Sequence, residues 1–396
     1  MRNGSGVLKT GFRWAAGQLF RLFDAIVPKD KRIVLVTLPD GDDQGVSLCL
    51  ALASAHWDGG IDWLVHQDPA DFPEWQRRRG LAGITIRFLR LHSIRGVWAY
   101  FKASYVFYTH GALFNYAPPK RKLVVNMWHG MPVKKIWRGV PGSELPLSTF
   151  LISTSSFFSN VLMLASGFGP ERLLATGLPR NDFLISKRPE SISAVARLRG
   201  DAERLIVFLP TYRCSARGFL TEDGTETHTV LGLNAADAQR LHAWLKNNRC
   251  KLIVKPHPMS VNAGKPFEAD AQWAMIDEQM LFRLGLGLYE VLAQADLLVT
   301  DVSSVYVDFL VTERPQILYF PDMQQYENTR GLLLQPLIEY APGPIAQNFS
   351  ELEAFLDLWI SGHDSWRERR TALRELMAPK SQQSAADSLL TAIGIR

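Results

Sequence analysis

The chain has 396 residues, of which 47% are hydrophobic and 21% charged, with a formal net charge of +5. That length suits two domains better than one, and the composition is that of a soluble globular protein rather than a disordered or fibrous one. The mild basicity fits an anionic partner such as a phosphate ester, a nucleotide or a lipid head group, and the sequence lacks the Arg/Lys blocks with interleaved aromatics that would point to nucleic acid.

The first thirty residues predict a basic amphipathic helix. Leu8, Phe12, Ala15, Leu19, Leu22 and Ile26 recur at helical spacing, with Trp14, Phe20 and Phe23 widening the stripe. Arg13, Arg21, Lys29, Lys31 and Arg32 add positive charge, and Arg13, Arg21 and Asp24 interrupt the run too often for a signal-peptide core. Two readings stand side by side: a helix lying on an anionic membrane surface, or a helix docked on its own domain. No apolar stretch is long enough to span a bilayer. The expected location is therefore the cytoplasm, peripheral on the inner face of the membrane.

Strand-like runs then alternate with helical ones, the pattern of an α/β protein with parallel sheets. "RIVLVTL" is the first strand, "PDGDDQG" the loop after it, and a helix follows around "VSLCLALASAHW". Further strands are read at "IDWLVH", "GITIRFL", "SYVFYTH", "KLVVNMWHG", "FLISTS" and "RLLATGLP". The segment "LISKRPESISAVARLRGD" reads as a connection, and a second strand series runs through "RLIVFLPTYR", "CKLIVKPHP", "AMIDE", "ADLLVTDVSS" and "PQILYF". The expected organisation is an N-terminal helix over 1–30, a Rossmann-like domain over 31–183, a connection over 184–200 and a second Rossmann-like domain over 201–396. Two such domains would face across a cleft, with ligands outside the carboxyl ends of the strands.

Candidate site residues lie at those strand ends. His129, in "NMWHGMPVKKIW", follows an apolar run and precedes Gly130 and Pro132, so it sits at a strand exit ahead of a turn. It is either a packing residue or a presented base, and Lys134 and Lys135 are either a solvated face or anion ligands. His257 is held between two prolines in "KPHP", as a strand-ending turn or a rigid phosphate donor. In "ADLLVTDVSSVYVDFL" a buried strand ends at Thr300 and Asp301, and Ser303 and Ser304 open a helix, where hydroxyls and free N–H groups favour an anion. Arg213, in "FLPTYR", could grip a phosphate with two N–H groups or lie on the surface. Asp40, Asp42 and Asp43 are read as acids favoured near a helix start, not as metal ligands. Cys49, Cys214 and Cys250 are too scattered for metal or redox pairing.

Taken in order, "NMWHGMPVKKIW", "TGLPRND", "FLPTYR", "KPHP", "TDVSSVYVDFL", "PQILYFPDMQQYENTRG" and "APGPIAQN" resemble the CDP-glycerol glycerophosphotransferases of teichoic-acid and capsule-polymer synthesis. The resemblance implies a GT-B architecture, no metal or other cofactor, and association with a membrane through a basic amphipathic surface. It implies transfer of an alditol phosphate from a CDP-activated donor to a hydroxyl of a lipid-linked or polymeric acceptor, with release of CMP. It makes His129 the base and gives His257, Ser303 and Ser304 contacts to the donor pyrophosphate. Arg330 in "YENTRG" joins the donor site, together with Arg213 and Asp301 at the same strand ends. Two other readings remain: a GT-B glycosyltransferase using a nucleotide sugar, and an inactive membrane-associated scaffold.

Overall fold

The computed structural model describes residues 17–211, 231–256 and 270–395. These form two compact units: residues 17–129, 141–180 and 383–395 in the first, and residues 130–140, 181–211, 231–256 and 270–382 in the second.

The first unit is built on a parallel seven-stranded sheet. Its strands are β1 (Asp30–Val36), β2 (Gly60–Val65), β3 (Ile86–Arg90), β4 (Ala103–Tyr108), β5 (Leu123–Asn126), β6 (Phe150–Ile152) and β7 (Leu173–Leu174), in the order β3-β2-β1-β4-β5-β6-β7. The order reverses direction at β1, where β2 pairs on one side and β4 on the other. Strands covered on both faces need continuous apolar runs. Ile33, Val34 and Leu35 of β1, and Val106 and Phe107 of β4, are accordingly fully buried. β4 and β5 lie side by side with Tyr108 opposite Asn126. The turns leaving those two strands therefore emerge next to each other.

The second unit has a parallel six-stranded sheet of β8 (Arg204–Leu209), β9 (Cys250–Val254), β10 (Trp273–Met275), β11 (Leu297–Thr300), β12 (Gln316–Tyr319) and β13 (Ile345–Ala346), ordered β10-β9-β8-β11-β12-β13. Ile206, Phe208, Val254, Leu297 and Ile317 contribute to its core. β8 pairs with β11 so that Leu209 lies opposite Thr300, which sets the ends of "FLPT" and "LLVTD" beside one another. Both sheets follow the Rossmann pattern of strands joined by helical crossovers, and two such units make the GT-B class of fold.

Contacts divide the chain differently from sequence order in two places. The helix Ala385–Ala392 packs on the helix Asp43–Ser54 of the first unit, with Leu389 and Leu390 fully buried. Residues 130–140 group with the second unit, where Leu333 N–H bonds the carbonyl of Val133 at 2.7 Å and Lys135 N–H bonds that of Gly331 at 3.1 Å.

The N-terminal stripe is helical over 17–26 in its described part; Leu8, Phe12, Trp14 and Ala15 lie outside the described residues. One side of this helix docks on the first unit. Phe20 stacks on Phe114 at 4.4 Å and Phe23 meets Phe101 edge-on at 4.9 Å. Asp24 is fully buried and accepts from Lys29 Nζ and Lys122 Nζ, both at 2.6 Å, and from the Tyr116 hydroxyl at 2.8 Å. Burial pushes the Lys122 ammonium down to about 8 against the opposing pull of Asp24. The other side points outward and is apolar: Leu19, Leu22 and Ile26 are 68%, 65% and 77% exposed. Docking on its own domain thus occupies one face of the helix and leaves a second apolar face free. Among the described residues no helix is long and apolar enough to cross a membrane.

Candidate functional site

In the first unit the candidate residue His129 lies in the turn after β5. The Asn126 side chain accepts from Trp128 N–H at 2.9 Å, closing the turn on itself. Trp128 takes φ +54 and Gly130 φ +134, so the chain folds back sharply around His129. Two residues from distant segments hold it. Gln44, in the helix after β1, donates from its side-chain amide to the carbonyls of Met127 and Trp128, both at 3.0 Å. Arg180, in the turn beyond β7, donates to the carbonyl of His129 at 3.1 Å, and its own N–H bonds Gln44 Oε1 at 3.3 Å. "TGLPRND" therefore serves the histidine turn through its arginine.

His129 itself is exposed. Its Nδ1 lies 3.5 Å from the carbonyl oxygen of Thr109, a long contact. A carbonyl only accepts, so this contact favours the tautomer with the proton on Nδ1, in which Nε2 is the basic nitrogen. The ring contacts Trp128 with centroids 4.0 Å apart, and stacks nearly parallel on His110, with centroids 4.2 Å apart at 11°. His110 is pushed down to about 4 by desolvation and secondarily by the Arg180 guanidinium. His110 as a residue is partly open to solvent, which softens the desolvation but leaves its sign unchanged.

In the second unit the strand ends carry the other candidates. Asp301, buried, accepts from Thr211 N–H at 3.0 and 3.1 Å and from the Thr211 hydroxyl. Thr300 donates its hydroxyl to the carbonyl of Leu209 at 2.6 Å. Both contacts lock the exit of β11 to that of β8, so Asp301 braces Thr211 just past the end of β8. Ser303 and Ser304 are half-buried at the start of the helix Val305–Phe309. Ser304 is helical in φ and ψ, and its hydroxyl makes no cap bond to its own helix.

Arg330, half-buried, ends the helix Met323–Thr329, its N–H bonding the Tyr326 carbonyl at 2.9 Å. Gly331 follows at φ +73, and a Cβ there would sit 2.9 Å from Lys135 Nζ. A side chain would be strained by the backbone and would displace the lysine. Lys135 thus lies across the residue next to Arg330, which joins one of the two lysines of "VKK" to the "YENTRG" motif. His257 and Arg213 lie outside the described residues.

The acids of "PDGDD" all have structural partners. Asp40 accepts from the N–H groups of His66 and Gln67 at 2.7 and 2.8 Å. Asp42 caps the helix Asp43–Ser54 through Gln44 N–H at 2.8 Å, and Asp43 pairs with the buried Arg79. Among the described residues no group of three His, Cys, Asp or Glu side chains is placed to hold a metal ion. Cys49 and Cys250 are buried free thiols, with burial pushing the Cys250 thiol up to about 11.

The sequence reading missed Gln44, Thr109, His110 and Arg180. His110 carried the signal that singled out His129, a histidine at a strand exit. Arg180 stood inside a quoted motif without a role.

Two Rossmann-like units, one with imidazoles and the other with hydroxyls at its strand ends, define a protein of the GT-B class. The chain belongs to the CDP-glycerol:poly(glycerophosphate) glycerophosphotransferase family, whose model matches residues 63–394. It is similar to the teichoic acid poly(glycerol phosphate) polymerase of Bacillus spizizenii, 26% identical over 66% of this chain and 67% of that protein. It is also similar to the teichoic acid ribitol-phosphate polymerase TarL of Staphylococcus aureus, 24% identical over 65% of this chain and 46% of the relative. The chain thus spans between about half and two-thirds of the length of these relatives. In structure it resembles the wall teichoic acid polymerase TagF soaked with CDPG, with a TM-score of 0.72, 18% identity, and coverage of 95% of this chain and 91% of that one.

Proposed function

We propose that the chain transfers a polyol phosphate, glycerol phosphate before ribitol phosphate, from a CDP-activated donor to a hydroxyl of a lipid-linked or polymeric acceptor. The observation that carries this reading is His129, an exposed imidazole with Nδ1 turned to a carbonyl, in a chain of this family. The acceptor oxygen attacks the phosphorus bearing the polyol and gives its proton to His129 Nε2. A new P–O bond forms, the P–O bond to CMP breaks, and CMP leaves. A neutral imidazole removes such a proton at neutral pH. The departing phosphate gains charge and needs donors already in place. Ser303, Ser304 and Arg330 are assigned that role here, with His257 and Arg213 in the same assignment from sequence. Asp301 supports them by holding Thr211.

The test is to incubate the protein with CDP-glycerol, CDP-ribitol and UDP-N-acetylglucosamine in turn, with a lipid-linked glycerol phosphate oligomer, and to identify the nucleotide released. CMP from a CDP-polyol is expected. UDP would replace this reading with sugar transfer, and no release from any donor would favour the inactive scaffold. His129→Ala is expected to lower CMP release by about 10²–10⁴-fold, and near-normal turnover in that variant would remove His129 as the base.

We also infer that the enzyme works on an anionic membrane surface, at its cytoplasmic face. Supporting this are the outward stripe of Leu19, Leu22 and Ile26 and the neighbouring Arg21.

A further inference from the structure

We propose that His110 is the positioning residue of the base: a second imidazole that holds the His129 ring in its working orientation by stacking on it. The inference rests on the reading of His129 as base.

Thr109 organises both rings. It is buried, follows β4, and its N–H bonds the carbonyl of Val36 at 3.2 Å. Its carbonyl faces His129 Nδ1, and its hydroxyl lies 3.1 Å from His110 Nδ1. The hydroxyl oxygen already accepts from Leu38 N–H at 3.0 Å. Its proton therefore goes to His110 Nδ1, because a buried hydroxyl proton without an acceptor is unfavourable. His110 is then the neutral tautomer protonated on Nε2, while His129 is the one protonated on Nδ1. One threonine thus sets the two rings in opposite tautomers, face to face.

The stack has a physical purpose. The carbonyl contact of the His129 ring is long, at 3.5 Å, and Trp128 meets the ring at a tilt of 36°. A flat neighbour 4.2 Å away at 11° removes rotation about the ring's outer bond. The Arg180 guanidinium also disfavours a positive charge on His110. His110 therefore stays neutral while His129 takes up a proton, and the two rings do not repel.

The experiment compares His110→Phe, His110→Ala and His129→Ala in the full chain. It reads CMP release from CDP-glycerol, thermal unfolding, and the imidazole ¹⁵N shifts that report tautomers. His110→Ala is expected to lower kcat by about ten- to a hundredfold, the order associated with a misplaced reacting group. The donor KM and the unfolding midpoint should hold. His110→Phe keeps a flat stacking partner and should restore most of kcat. In the intact chain, ¹⁵N shifts should show His110 neutral with Nε2–H between pH 5 and 9. If His129→Ala is inactive but His110→Ala keeps full kcat, the positioning role is wrong and the base stands. If His129→Ala keeps its turnover, the base reading itself falls. Equal loss in the Phe and Ala variants would overturn the proposal by making His110 a proton donor. A fall in kcat that only tracks loss of folded protein would overturn it in favour of packing.

Discussion

Asp301, Ser303 and Ser304 are neighbours in sequence but differ in what they already bind. Both carboxylate oxygens of Asp301 are used by Thr211, whereas the Ser304 hydroxyl does not cap its own helix. A hydroxyl that makes no cap bond at a strand exit can turn to a ligand. A carboxylate would repel a pyrophosphate and is better used in bracing the loop. Ser304→Ala, and Ser303→Ala beside it, should therefore raise the KM for CDP-glycerol by about ten- to a hundredfold, the worth of one hydrogen bond to a charged group. Initial rates against donor and acceptor concentration check this, and a change confined to the acceptor would move the serines out of the donor site. The placement of His129 and these serines at strand exits was legible in sequence because a polar residue ending a buried strand is a local signal. Their supports were not. Gln44 reaches Met127 and Arg180 across long stretches of chain, and nothing local in "DDQGV" or "LPRND" names those partners.

At the scale of the element, the N-terminal helix separates two kinds of apolar contact. Phe20 and Phe23 pack on Phe101 and Phe114, while Leu19, Leu22 and Ile26 face out. Deleting the whole segment would confuse the two, because it would strip buried Lys122 of its Asp24 partner. Substitution separates them. Leu19→Ser, Leu22→Ser and Ile26→Ser together should leave the unfolding midpoint unchanged. They should weaken binding to phosphatidylglycerol vesicles by about a hundredfold or more, since each apolar side chain contributes about 1.5–3 kcal/mol when fully buried. Vesicle sedimentation at low and high salt measures this, and salt should weaken the binding that arises from the basic residues. Unaltered sedimentation of the triple variant would move the contact elsewhere. Asp24→Ala should behave in the opposite way and destabilise the fold by about 3–5 kcal/mol, because it leaves buried cations without their counter-charge. Denaturant unfolding reads that loss.

At the scale of the whole molecule, the last helix belongs to the first unit although it follows the second sheet in sequence. Leu389 and Leu390 are fully buried, and their helix packs on Asp43–Ser54, which also carries Gln44 of the histidine turn. Leu389→Ala should destabilise the first unit by about 2–5 kcal/mol. Hydrogen exchange should show lost protection in β1 and β4, with β8 and β9 retained. Equal loss in both sheets would mean that the two units unfold together.

By itself the sequence determined the alternation of strands and helices, the parallel character of both sheets, the family resemblance and the polar residues at the strand exits. These are local properties: a strand buried on both faces must be a continuous apolar run, and a strand must end where polar and turn-forming residues begin. Only the tertiary structure decided the order of the strands, the return of Ala385–Ala392 to the first unit, the joining of Asp301 to Thr211 and of Lys135 to Gly331, and the stack of His110 on His129. Each of these is a contact between residues far apart in the chain, or brought side by side by strand pairing. A buried leucine, a carboxylate or an imidazole is chemically satisfied by many partners, and only the packing of the whole chain selects one.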